Sequence, residues 1–130
     1  MKGSCLCGKC VFEIKGGTGS LNKCHCTKCR KVSGTGSNAV FWIEPDHLEW
    51  ISGEDQVKSY AMPDGWESVF CQECGSPLPR YIPHDEWIVP AGVMDENPPV
   101  EVRAHIFVED KPDWEIIGDD APQFLQVPLG

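Results

Sequence analysis

Apolar and polar residues alternate along this chain in short runs, and that alternation predicts strands. The clearest run is Val100 to Val108, where Val100, Val102, Ala104, Ile106 and Val108 fall on one face and Glu101, Arg103, His105 and Phe107 on the other. Shorter runs occur at Cys10 to Ile14, Asn38 to Ile43, Leu48 to Ile51, Val57 to Tyr60, Ser68 to Phe70, Leu78 to Tyr81 and Trp87 to Val89. Turns separate them, at Gly16-Gly17, Ser52-Gly53, Pro63-Asp64-Gly65, Asn97-Pro98-Pro99 and Lys111-Pro112. No stretch of twelve residues carries apolar positions at three-and-four spacing without a Gly or Pro break, so long helices are not expected. One or two helical turns are predicted over Thr27 to Val32.

The expected fold is therefore mainly β, an antiparallel sheet domain of short strands. A chain of 130 residues, 41% of them hydrophobic, supports one core and one domain spanning residues 1–130. The acidic tail from about Asp110 to Gly130 carries Trp114, Ile116, Ile117, Phe124 and Leu125, and is read as an ordered wrap packed over the sheet. A net charge of −9 disfavours a nucleic-acid partner, which needs a basic face, and a membrane surface likewise. The charge is uneven: residues 1–34 hold seven Lys/Arg and one acid, residues 35–130 four and nineteen. A local positive field on an acidic body suits a small anion.

Eight cysteines change the picture most. The N-terminus lacks the apolar stretch of a secretory signal, so a cytoplasmic, reducing location is expected, where metal sites are favoured over disulfides. The cysteines fall into tight groups, Cys5-x-Cys7-x-x-Cys10, Cys24-x-Cys26-x-x-Cys29 and Cys71-x-x-Cys74. A glycine follows Cys7 and Cys74 but neither Cys26 nor Cys29, which suits a backbone turning tightly around a metal. Cys5, Cys7, Cys71 and Cys74 are thus paired into one closed tetrahedral zinc site of the knuckle type. Cys24, Cys26 and Cys29 then form a three-thiolate set with no evident fourth thiol, the pattern of an open zinc, giving two zinc ions per chain. His25, His105 or Cys10 could complete that set. Cys10 alternates with Phe12 and Ile14 and is expected to be buried. Lys23, Lys28, Arg30 and Lys31 flank the open set and would favour thiolate and draw in a carboxylate-bearing ligand.

The runs Gly3-Ser4-Cys5-Leu6-Cys7-Gly8, Cys24-His25-Cys26-Thr27-Lys28-Cys29-Arg30 with Ser33-Gly34, and Phe70-Cys71-Gln72-Glu73-Cys74-Gly75-Ser76-Pro77-Leu78 resemble the glutathione-dependent formaldehyde-activating enzyme family, which includes centromere protein V. His105 to Val108, Lys111-Pro112, Trp114 and Phe124 resemble its C-terminal signature. The resemblance implies an Mss4-like antiparallel β fold, structural zinc at Cys5, Cys7, Cys71 and Cys74, and catalytic zinc at Cys24, Cys26 and Cys29. It implies a carbon-sulfur lyase reaction, condensation of formaldehyde with glutathione to S-(hydroxymethyl)glutathione, with Lys28, Arg30 and Lys31 holding the tripeptide's carboxylates. The competing expectation is a zinc-stabilised β interaction module in which both metals are structural.

Overall fold

Ten strands and one α-helix form along residues 1–128, which the structure, a computed structural model, describes. In chain order they are β1 (Lys2–Ser4), β2 (Val11–Ile14), β3 (Leu21–Cys24), α1 (Thr27–Ser33), β4 (Asn38–Ile43), β5 (Leu48–Ser52), β6 (Val57–Ala61), β7 (Glu67–Cys71), β8 (Arg80–Tyr81), β9 (Trp87–Pro90) and β10 (Val102–Ile106). The chain is mainly β, as the alternation predicts. Two strands escaped that pattern. In β1 the short edge run Lys2–Ser4 is glycine-centred because a Cβ on Gly3 would collide with the buried Phe12 ring. In β3 the sequence Leu-Asn-Lys-Cys does not alternate, yet it is a strand because neighbours pair with it on both edges.

A three-stranded sheet has the order β1-β2-β5, and a five-stranded sheet the order β10-β3-β4-β9-β8. A separate β6-β7 ribbon is joined to the region of β8 by a bridge between Phe70 and Pro77. Between the two larger sheets lies the main core of Phe12, Ile14, Phe41, Ile43, Leu48 and Val89. Trp50 stands edge-on to Phe12 at 5.8 Å and to Trp87 at 6.4 Å. It also packs against a second cluster of Cys5, Cys10, Cys71 and Leu78, so the core and the first cysteine group share a wall.

The antiparallel expectation holds with one exception, and the strand predicted at Val100 to Val108 is shorter than the run. Every strand pair is antiparallel except β10 with β3, which run parallel, Val102 to Ile106 aligning with Leu21 to Cys24. β10 is shorter than the run Val100 to Val108 because Phe107 takes a left-handed conformation (φ 54°) and ends it. On the predicted polar face Glu101 and Arg103 are exposed but His105 is 1% exposed, while Val102, Ala104 and Ile106 on the apolar face are half-buried. Hydrogen bonding explains this, because a buried imidazole with both nitrogens bonded costs little.

The tail is ordered, though of its five apolar residues only Ile117 and Phe124 are half-buried. Trp114, Ile116 and Leu125 are 68%, 84% and 70% exposed. Backbone hydrogen bonds hold it: the His105 N–H donates to Pro122 O, the Phe124 N–H to His105 O and the Phe107 N–H to Gln126 O. Residues 122–126 thus line the outer edge of β10. The end of the predicted wrap, Leu129 and Gly130, lies outside the described residues.

Candidate metal centres and cavity

The two cysteine groups assemble as the spacing predicts. The sulfurs of Cys5, Cys7, Cys71 and Cys74 all lie within 4.8 Å of one another, as do those of Cys24, Cys26 and Cys29. All eight cysteines are free thiols. Zinc bound at ~2.3 Å by four thiolates would set its sulfurs about 3.8 Å apart. Cys5 to Cys7 measures 3.5 Å and Cys7 to Cys71 3.9 Å, so the first set fits a tetrahedral thiophilic metal. Gly8 and Gly75 have φ of 80° and 77°, and their N–H groups donate to Cys5 O and Cys71 O. These are the tight turns the glycines after Cys7 and Cys74 allow.

Neighbouring donors orient the first set. The Cys10 N–H points at Cys5 Sγ over 3.3 Å. Ser76 Oγ accepts the Leu6 N–H at 2.8 Å and the Cys74 thiol at 3.4 Å. This contact, with backbone donors beside it, lowers the Cys74 thiol to about 5. Cys10 does not join either set. It is fully buried, its Sγ donates to Gly53 O at 3.3 Å, and burial first of all pushes its thiol up to about 12. That is a packed, inert cysteine.

The second set sits where β3 runs into α1. Cys24 ends the strand, Cys26 caps the helix by accepting the Cys29 N–H at 3.4 Å, and Cys29 lies one turn in. Gly34, with φ 69°, closes the helix through its N–H to Arg30 O. The Cys29 thiol hydrogen-bonds Cys24, which holds Cys24 down at about 6 and, by the same contact, raises Cys29. Burial raises Cys26. Among the described residues no fourth His, Cys, Asp or Glu completes this set.

His25 and His105 bond each other instead, His25 Nε2 to His105 Nδ1 at 2.9 Å, and His105 Nε2 lies 3.0 Å from Asp119. A carboxylate only accepts, so His105 Nε2 donates to Asp119. Burial lowers His25 and keeps it neutral. The chain of three ties the turn between Cys24 and Cys26 to β10 and to the tail. His105 first, through its hydrogen bond, lowers Asp119 below its ordinary 3.8. A carboxylate lowered on folding adds stability above its ordinary value and loses it as pH falls through the folded value. Asp119→Asn is expected to reduce the urea midpoint at pH 7, the deficit holding to about pH 5 and narrowing only below about pH 4. Equal midpoints at neutral pH would show that the contact adds nothing.

The second set opens onto a cavity of about 430 Å³. Its walls are mostly apolar, among them Val40, Trp42, Trp66, Ile88, Ile106 and Phe107, with Lys28, Glu67, Arg80 and Asp110 as its charged members. The three cations read from the sequence part company here. Lys28 lines the cavity, but its ammonium pairs with Asp64 from the turn between β6 and β7. Arg30 and Lys31 line no part of it; the Arg30 Nε is buried without a partner and Lys31 is exposed. Arg80 and Trp66, neither of them read from the sequence as a site residue, also line the cavity, with the guanidinium 5.4 Å from the indole centroid. No signal adjacent in sequence to the cysteines marks them, since they arrive with β7 and β8.

The sequence model of a family described as glutathione-dependent formaldehyde-activating enzyme matches residues 1–110. A Halomonas elongata protein, provisionally named a glutathione-dependent formaldehyde-activating enzyme, is 32% identical over 123 residues, covering 88% of this chain and 78% of its own. A crystal structure of a Rhodobacter sphaeroides protein superposes with a TM-score of 0.63 at 20% identity, over 95% of this chain and 99% of that one. That likeness is one of fold.

Proposed function

The chain belongs to the glutathione-dependent formaldehyde-activating enzyme family, and from that we propose that it is a zinc-dependent carbon-sulfur lyase joining formaldehyde to glutathione as S-(hydroxymethyl)glutathione. One observation carries the reading: three thiols with no fourth protein donor among the described residues face a cavity large enough for a small substrate. Cys5, Cys7, Cys71 and Cys74 would hold a closed structural zinc, and Cys24, Cys26 and Cys29 a second one with a vacant position. Bound at the second site, zinc would acidify a thiol that takes the vacancy, so that it is held as thiolate.

The chain's own residues do the rest. Cys24, Cys26 and Cys29 line the cavity and would hold the metal there, and the His25, His105 and Asp119 chain keeps their turn in place. Apolar walls limit water around the reacting sulfur, which favours attack on the aldehyde over hydration of it. The sulfur lone pair forms the new C–S bond while the carbonyl pair moves to oxygen. That oxygen takes up one proton for the one the thiol gave up, so nothing is oxidised or reduced. Eight free thiols suit the reducing cytoplasm. No helix of the described residues is long and apolar enough to cross a membrane.

The test is two-dimensional exchange NMR of formaldehyde, glutathione and their adduct. Zinc-loaded chain is expected to accelerate exchange above the unaided rate, and chain stripped of metal is expected not to. Identical rates with and without the loaded chain would overturn the proposal and leave a zinc-stabilised β interaction module.

A further inference from the structure

We propose that Arg80 is the anion anchor of the cavity, holding a carboxylate of the thiol substrate while Trp66 keeps the guanidinium in position. This rests on reading the cavity as the thiol site. Of the two cations on the cavity wall, Lys28 has its charge offset by Asp64. Arg80 has no carboxylate partner among the ion pairs of the described residues. Its Nη1 donates once, to Glu67 O at 3.3 Å, leaving the other N–H donors of a planar fork uncommitted. The indole of Trp66 covers one face of that fork at 5.4 Å and fixes its plane.

The anchor is held by its surroundings. β8 begins just after Pro79, and the segment before it is pinned by the Phe70–Pro77 bridge and by the Leu78 N–H donating to Val69 O at 2.9 Å. Leu78 packs among Cys5, Cys10 and Cys71, so the first cysteine set fixes the base from which Arg80 extends. Glu67 and Asp110 also line the cavity, and the chain as a whole carries −9. In that field a carboxylate-bearing thiol needs an unpaired cation, and a guanidinium binds carboxylate in two parallel hydrogen bonds where an ammonium makes a point contact. The specificity that follows is for thiols carrying a carboxylate some distance from sulfur.

The experiment uses the full chain with cobalt(II) in place of zinc. Its visible absorption reports directly when a thiol reaches the second cysteine set. Glutathione and N-acetylcysteamine, a thiol without a carboxylate, are titrated against wild type, Arg80→Leu and Arg80→Lys. Arg80→Leu is expected to weaken glutathione about ten- to a hundredfold while N-acetylcysteamine changes less than about twofold. Arg80→Lys is expected to recover only part of the loss. Unchanged glutathione affinity in Arg80→Leu, or an equal loss for both thiols, would overturn the anchor and leave the thiol site standing. If neither thiol perturbs the wild-type spectrum, both the anchor and the thiol site are overturned.

Discussion

Cys71→Ser is expected to unfold the chain, with far-UV circular dichroism losing its strand signal and bound metal falling from two equivalents toward none. Cys71 ends β7, is fully buried, and lies with Cys10 and Leu78 in the second core cluster. Its sulfur is one of four that join the beginning of the chain to its middle, so the set acts as a cross-link between elements that are distant in sequence. A structural zinc of this kind contributes on the order of 10 kcal/mol. The whole stability of a domain this size is about 5–15 kcal/mol. Serine keeps the volume but is a poor ligand for zinc and leaves a hydroxyl among apolar neighbours. Chelation of wild type should reproduce the effect without any substitution. A Cys71→Ser chain that still unfolds cooperatively at a normal midpoint would show that the first set is not structural.

Cys26→Ser should behave in the opposite way. Cys26 is half-buried and caps α1 by accepting the Cys29 N–H. Serine is among the best residues for that task, so the helix and the fold survive the change. The second set, however, falls from three thiols to two, too few to hold zinc with one position open. The expected result is one metal equivalent lost, a melting temperature within a few degrees of wild type, and exchange of formaldehyde and glutathione back at its unaided rate. Loss of fold would place both metals in structural roles and favour the interaction module. Full activity in the variant would remove this set from the reaction.

The contrast between the two variants was legible in the sequence because ligand spacing and turn chemistry are local. Cys-x-Cys and Cys-x-x-Cys separations, with Gly8 and Gly75 behind the closed set, foretell its turns, and the segment after Cys26 has helical character without any tertiary contact. β4 was legible too, because Asn38–Ile43 is strand-like by composition alone. What escaped depends on partners far along the chain. β3 is a strand because β4 and β10 flank it, which four residues of mixed polarity cannot announce. His105 reads as the polar face of an alternating run until His25 and Asp119 occupy its two nitrogens. Lys28 reads as a free cation beside thiols until the turn after β6 brings Asp64 across to it. Arg80 carries no local signal, since its worth comes from Trp66 beneath it and from having no carboxylate in ion-pair contact among the described residues.

The parallel pairing of β10 with β3 also sets a timetable for synthesis. A chain emerging from the ribosome holds the complete closed ligand set as soon as Cys74 is out, and parallel strands cannot be joined by a tight hairpin. Cys24, Cys26 and Cys29 emerge earlier still, but Ile106, whose carbonyl receives the His25 N–H, and Phe107 and Asp110, which wall the cavity, come only with the last quarter of the chain. The nascent protein therefore completes its four-cysteine set first and the shelter of its three-cysteine set last. Until then three thiols stand open to any thiophilic ion, so if the second set takes a metal, the choice of ion would be made in the interval between Cys74 and Asp119.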